Sequence, residues 1–346
     1  MTDEKIVKQP GNGLTGLANL GNTCFINSTI QCLSHTYMLK DFINNGNYKS
    51  KLNKKPESIL LIEWDKLQKM MWDEDCKISP GGFIHSVQRV ANLKGKTIFT
   101  GFAQNDLHEF LIFLVDCFHV SLQREVEMNI TGNVKNEKDI LAKKCFEMMK
   151  RMYGKEYSEI LQLFYGIQMT QITDPEDKTK VLSGIPEPYF MIDLPVPQQK
   201  LPATLLECFR LHTKMECLEG ENAWLNEKTN KKQKVMKGLT YWNFPTILVI
   251  DLKRFTNDNR KNNLYIDYPV NGLDLSEFVV GYNKDSFVYD LYGVCIHSGG
   301  VLGGHYYAYV KNKNGKWYKF NDTEVSEIPE ANVVVQGAYC LFYQKK

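Results

Sequence analysis

The amino-acid sequence predicts an α+β fold: helices first, then an antiparallel β part, with a cleft between the two. Two observations carry the expectation. Up to about residue 125 apolar residues recur at helical spacing, and beyond about residue 160 short runs alternate or cluster β-branched and aromatic residues. The length of 346 residues adds a third: one small core does not extend over such a chain, and two or three packed substructures are required.

Residues 1–13, MTDEKIVKQPGNG, hold no apolar stretch of signal-peptide character and read as a flexible lead-in. Phe25, Ile26, Ile30 and Leu33 then mark a helix that Asn22 or Thr23 would cap, which places Cys24 in its first turn. ESILLIEWDKLQKMMW (57–72) is helical in pattern, SPGGFIHSVQRVA (79–91) starts a helix after a Pro-Gly turn, and NDLHEFLIFLVDCFHVSLQ (105–123) is a strong helix. Residues 126–155 are rich in Lys, Glu and Asn, with a helical tract at 138–152, and read as an insertion or connection. The β part follows in LQLFYGIQMTQI, EPYFMIDLPVP, FPTILVIDLKRF, FVYDLYGVCIHSG, GHYYAYVKN, KWYKFND and AYCLFYQ. No internal repeat interrupts this order.

Composition narrows the function classes. Hydrophobic residues make up 43% and charged ones 24%, and the net charge of +2 gives no field that selects nucleic acid or a membrane surface as partner. The basic runs at 49–55 and 228–234 read as solvated faces. No run approaches the roughly 18 apolar residues of a membrane span. Nine cysteines, an odd number with no CxxC pair, fit reduced thiols rather than a disulfide scaffold. Cys32, Cys117, Cys295 and Cys340 fall in helical or strand patterns and read as small core residues. An intracellular monomer of the cytoplasm or nucleus is expected, without cofactor.

Cys24 is the exception among the thiols. A helix start offers free N–H groups and partial positive charge, which lower a thiol pKa and can receive an oxyanion. Asn19, on the glycine-containing turn before it, is placed to donate a second hydrogen bond. A nucleophile needs a base. His35, His85, His108, His119 and His212 have no distinctive surroundings or sit in an apolar helix, whereas His297 and His305 bracket the glycine-rich HSGGVLGGH. His305 opens a strand, and KWYKFND would pair with it in a hairpin that brings Asn321 or Asp322 beside the imidazole. Cysteine, histidine and Asn/Asp in this order form the papain-type constellation.

GLANLGNTCFINSTIQCL, GFAQNDLHEFLIFLVD, LVIDLKRF, YDLYGVCIHSGGVLGGHYYAYVKNKNGKWYKFNDTEVSEI and AYCLFY together resemble the ubiquitin-specific proteases, in the family's order and from about residue 14 to 343. The resemblance implies a papain-like fold with a helical thumb (about 14–125) and β-rich fingers and palm (about 160–343), the charged connection at about 126–155 lying between. It implies hydrolysis after the C-terminal glycine of ubiquitin, with ubiquitin and ubiquitinated proteins as partners. Cys24 matches the nucleophile, His305 the base, Asn321 the orienting residue with Asp322 the adjacent acid, and Asn19 the oxyanion donor. Gln104, Asp106 and Glu109 match the box that holds the substrate tail; Phe255 and Tyr306 match apolar walls of its channel; His297 lies in a loop bordering it. For Asp106 and Glu109 a helix-capping role, for Phe255 a core role and for His297 a structural hydrogen bond stand beside these.

One departure is visible. Many family members carry two CxxC pairs that bind a structural zinc, whereas here Thr173, Asp174, Asn226 and Thr229 occupy the corresponding places. No zinc is expected. The motifs report catalysis better than modifier choice, so a protease for a ubiquitin-like modifier and an inactive ubiquitin-binding scaffold remain the alternatives.

Overall fold

A helix buried on every side must find partners for its polar side chains within the protein, and α1 (Cys24–Ser34) does so for most of them, Asn27 Oδ1 and Gln31 Oε1 being the exceptions. In the computed structural model, which describes residues 11–346 apart from 102, 178, 179, 228, 257, 259 and 302, all eleven residues of α1 are buried. Ser28 Oγ and Thr29 Oγ1 donate to the Phe25 carbonyl at 3.1 and 2.8 Å, and Gln31 Nε2 donates to the Thr15 carbonyl at 2.8 Å. Thr23 stands at the N-cap, although its side chain makes no capping bond. The expectation for residues 1–10 lies outside the described residues.

The chain forms two units. The first takes in residues up to Leu122, the short stretch ending at Lys261, and Tyr292–Phe342. Its helices are α1, α2 (Tyr37–Asn44), α3 (Glu57–Asp73), α4 (Gly81–Leu93) and α5 (Leu107–Leu122). α3 packs on α4 and α5, and α1 on α5. Fully buried Trp64 of α3 meets Phe83 and Phe118 at ring distances of 5.9 and 5.4 Å, and Phe25 of α1 meets Phe110 edge-on at 5.4 Å. Such aromatic pairs add about 1 kcal/mol each to the burial of their area.

α1 also packs on strand Gly303–Lys311. The strands run in the order Glu324–Ile328, Trp317–Asn321, Gly303–Lys311, Val288–Gly300, Ala338–Lys345. Pairing is antiparallel across the 288–300, 303–311, 317–321 and 324–328 series. Cys32, Cys117, Cys295 and Cys340 are fully buried, with the sulfurs of Cys32 and Cys295 3.6 Å apart.

The second unit comprises Gln123–Asp258, Asn262–Leu291 and Tyr343–Lys346. Its helices are α6 (Glu137–Glu156), α7 (Glu159–Phe164) and α8 (Leu205–His212). α6 is capped by the Asn136 side chain, which accepts the Asp139 N–H at 3.0 Å. Its Ala142, Cys145 and Met148 join Ile167, Met169 and Trp242 in one apolar cluster, so the charged stretch read as an insertion or connection contributes to this unit's core. An antiparallel sheet runs in the order Val181–Tyr189, Gly166–Thr173, Val235–Asn243, Glu216–Leu218. The strand Ile247–Lys253 instead pairs parallel with Met191–Pro195, as does Ile266–Asp267 with Ala203–Thr204. Parallel partners require a crossover connection, which strand texture alone does not reveal.

The positions where the resemblance would put zinc ligands hold other chemistry. The Asp174 carboxylate accepts the Glu176 and Asp177 N–H groups at 2.9 and 3.4 Å and faces Lys180 Nζ at 3.6 Å. The Asn226 carbonyl closes the hairpin by accepting the Thr229 and Asn230 N–H groups at 3.2 and 2.7 Å, and its side chain donates to Gln233 at 3.4 Å. Oxygen and amide groups committed to turns do not fit a zinc ion that favours thiolate and imidazole. Treatment with a chelator is therefore expected to leave the melting temperature unchanged. Stoichiometric zinc in tag-free protein, or a chelator-induced fall in Tm, would contradict this.

Candidate active site

The turn before α1 is built from two left-handed residues, Gly21 (φ +104°) and Asn22 (φ +53°). The Asn19 side chain braces it, its Oδ1 accepting the N–H groups of Gly21 and Thr23 at 3.1 Å each. Cys24 follows with 4% of its surface exposed. Burial pushes its thiol pKa up. The N–H groups of Tyr306, Phe25 and Cys24 pull it down, the Asp322 carboxylate pushes it up again, and the net lies above the ordinary thiol value. The sequence reading expected the helix start to lower this pKa; burial outweighs the helix. The Tyr306 N–H at the sulfur places Cys24 beside the backbone that follows His305.

His305 sits near the start of strand Gly303–Lys311. Ala308 pairs with Phe320, so Asn321, one residue along, stands on the face that carries Tyr307 and His305. Asn321 Oδ1 lies 2.6 Å from His305 Nε2. Because the hairpin brings the asparagine to the far ring nitrogen, Nε2 carries the oriented proton and Nδ1 is the nitrogen left for the thiol.

Asp322 does not turn toward His305. It adopts a left-handed conformation (φ +50°), and its carboxylate accepts from Asn27 Nδ2 at 2.7 Å and from Asn19 Nδ2 at 3.0 Å. Its carbonyl accepts the Leu17 N–H at 2.8 Å. Asn27 lies three residues after Cys24 on α1, and the sequence reading passed over it; an asparagine on the nucleophile's own helical face was the available signal.

The remaining candidates divide. Gln104 meets Gly304 twice at 3.3 Å, Nε2 donating to the carbonyl and Oε1 accepting the N–H. Asp106 accepts from the Tyr339 hydroxyl at 2.7 and 2.9 Å and from the His108 N–H at 2.9 Å, so it also caps α5. Tyr339 was not anticipated. Glu109 is exposed in the first turn of α5. His297 and Tyr306 are both buried, with ring centroids 4.6 Å apart. Cys24, His305, Asn321, Asp322, Asn19, Gln104, Asp106, Glu109, His297 and Tyr306 all belong to the first unit, whereas half-buried Phe255 belongs to the second.

Papain-like cysteine hydrolases are the class in which such a helix and such a hairpin meet, and this fold falls within it. The chain belongs to the ubiquitin carboxyl-terminal hydrolase family, whose family model matches residues 15–343. It is 34% identical over 343 residues to ubiquitin carboxyl-terminal hydrolase 2 of Bos taurus, covering 96% of this chain and 55% of that protein. To the Gallus gallus protein of that name it is also 34% identical, over 96% of this chain and 93% of the relative. To ubiquitin carboxyl-terminal hydrolase 21 of Bos taurus it is 31% identical, over 96% and 62%. The chain thus spans about half the length of the first relative. Among solved structures it resembles the SAGA DUB module Ubp8/Sgf11/Sus1/Sgf73 bound to ubiquitin aldehyde, with a TM-score of 0.74, 25% identity and coverage of 97% of this chain and 71% of that one. The same module bound to monoubiquitin gives a TM-score of 0.76 at 24% identity, over 98% and 71%.

Two expectations follow from this geometry. Since burial raises the Cys24 pKa, its alkylation rate in the free protein should climb with pH through the ordinary thiol range, above pH 8. A plateau below pH 7 would instead show a resting thiolate–imidazolium pair. Asn321→Ala should lower kcat/KM roughly 10–1000-fold at unchanged Tm, since it loses only the orienting bond. Asp322→Ala strands the Asn19 and Asn27 amides and should in addition destabilise the fold by about 2 kcal/mol. A clearly milder Asn321→Ala would reverse the two roles, and a severe double mutant with mild singles would show that they share the task.

Proposed function

We propose that this chain is a cysteine-type deubiquitinase that hydrolyses the peptide or isopeptide bond after the C-terminal glycine of ubiquitin. The observation that carries the reading is the 2.6 Å contact between Asn321 Oδ1 and His305 Nε2, which orients the imidazole on the hairpin packed against the Cys24 helix. The family membership and the ubiquitin-bound structural neighbours support ubiquitin as the partner.

In this reading His305 Nδ1 takes the Cys24 proton as substrate enters, and the thiolate attacks the glycine carbonyl. The Cys24 N–H and the hydrogen of Asn19 Nδ2 not given to Asp322 stabilise the oxyanion. His305 then protonates the departing amine and activates water to hydrolyse the thioester. Asp106 and Glu109 receive the basic tail of ubiquitin, Gln104 and His297 border it, and Tyr306 lines an apolar wall. No metal or cofactor takes part. Nine free cysteines suit a reducing compartment, cytoplasm or nucleus, and the enzyme works as a monomer without nucleic-acid or membrane partners. No helix among the described residues is long and apolar enough to cross a membrane.

Ubiquitin bearing a C-terminal electrophile should label the wild-type chain once, at Cys24, and leave Cys24→Ala unlabelled. Labelling at Cys32 or another thiol would displace the assignment. Fluorogenic substrates made from ubiquitin and from ubiquitin-like modifiers, run in parallel, should favour ubiquitin. Preference for another modifier changes the substrate, and binding without turnover makes the chain a scaffold.

A further inference from the structure

Lys261 belongs to the first unit, and its ammonium reaches the segment that leads to His305. Nζ lies 2.8 Å from His297 Nδ1 and donates to the carbonyls of His297 and Gly299 at 2.9 and 3.1 Å. An ammonium has no acceptor, so Nδ1 here is the unprotonated nitrogen of a neutral imidazole.

That imidazole is itself a structural part. It is 4% exposed and packs on the rings of Tyr306 and Tyr339, at 4.6 and 6.0 Å. In the hairpin register His297 pairs with Tyr306, and Ser298 with His305. A side-chain carbon on Gly304 would lie 2.2 Å from His297 Nε2, so the imidazole packs directly against the backbone preceding His305. Gly299, at φ +120°, requires glycine and lends the backbone no stiffness of its own. Beyond the strand pairing, two side chains hold this backbone: Gln104 grips Gly304 at both its N–H and its carbonyl, and Lys261 grips His297 and Gly299.

We propose that Lys261 is a positioning residue for the hydrolysis: by holding His297 and the Gly299 carbonyl it fixes the backbone that sets His305 and the Tyr306 N–H against Cys24. The assignment rests on the deubiquitinase reading for its catalytic consequence, but not for its structural one. The charged and titratable groups facing His297 are Lys261 and His305, with Tyr306 and Tyr339 at its ring faces. Burial first, then the Lys261 charge and the neighbouring His305, hold His297 down to about 4, so it stays neutral throughout the physiological range. Removing the Lys261 charge moves that titration upward, toward the ordinary histidine value of about 6.5.

The test compares wild type, Lys261→Met and Lys261→Arg. The Met variant keeps the aliphatic stem and loses the donor and the charge. It should lower kcat on ubiquitin substrate roughly 10- to 100-fold with little change in KM, the expected effect of displacing a reacting group by a fraction of an ångström. The Arg variant should recover part of that loss. By NMR, the His297 titration should lie at about 4 in wild type and move upward in Lys261→Met, burial still holding it below the ordinary histidine value. Should the Met variant not fold, Lys261→Gln, which keeps a neutral donor, carries the same comparison. A kcat within twofold of wild type, or a His297 titration that does not move, overturns the assignment. The titration needs no substrate, so a chain that leaves ubiquitin uncleaved but shows the shift refutes the proposed function and not the hold of Lys261 on His297.

Discussion

The relation between the nucleophile helix and the histidine hairpin depends on one carboxylate. Asp322 stands at the end of the hairpin and accepts hydrogen bonds from Asn27 within α1 and from Asn19 on the turn before it. Two stretches far apart in sequence, residues 19–27 and the hairpin end, are thereby fixed to a single point. Amide-to-carboxylate bonds are among the stronger polar contacts, and Asn27 is buried, so water competes poorly for the partner. The backbone agrees with the side chain. Leu17 N–H reaches the Asp322 carbonyl, and Gly16 passes so close that a side-chain carbon there would lie 2.5 Å from the Thr323 carbonyl oxygen. Only glycine permits that approach.

This arrangement has an electrostatic consequence. The carboxylate that sets the geometry also raises the Cys24 pKa, in the same direction as burial, and the N–H groups of the helix start and of Tyr306 do not overcome the two. The resting protein therefore holds a neutral thiol. Asn321 suits such a site: it fixes the imidazole plane through an uncharged acceptor and adds no second negative charge near the sulfur. An aspartate at that position would stabilise an imidazolium more strongly while raising the thiol further. Division of labour between adjacent residues, the amide for orientation and the acid for assembly, avoids placing two negative charges near the same thiol.

How much of this was legible in the sequence follows from what each residue must be. The placement of Cys24, His305 and Asn321 was legible because the roles proposed for them, nucleophile, base and orienter, admit few residue types, and because glycine turns announce where a helix and a hairpin begin. Helices α1, α3, α4 and α5 were legible from their apolar period, whereas the short α2 was not read. Asn27 and Lys261 were not, since an asparagine in a helix and a lysine in a loop are common for other reasons. Their roles exist only once distant segments meet. The ring nitrogen bonded to Asn321 is likewise set by the offset of two strands, which no motif encodes. The parallel pairing of Ile247–Lys253 with Met191–Pro195 escaped for the same reason. For the stretch at 126–155, charge obscured a narrow buried stripe of Ala142, Cys145 and Met148.

The side chains proposed to meet the ubiquitin tail are already engaged in the free protein, and this bears on how they would work. Asp106 spends part of its acceptor capacity on Tyr339 and on the start of α5. A carboxylate offers about four acceptor positions, so room remains for a guanidinium. The existing bonds fix the plane of the carboxylate before the substrate arrives, and that lowers the ordering entropy an arginine contact must overcome. Gln104 differs, because both ends of its amide are taken by Gly304. A backbone amide of the tail would have to replace Gly304 as its partner, which would loosen the approach to His305. In the proposed function Gln104 therefore serves better where it stands, as a brace on that backbone, and recognition of the basic tail is assigned to the carboxylates.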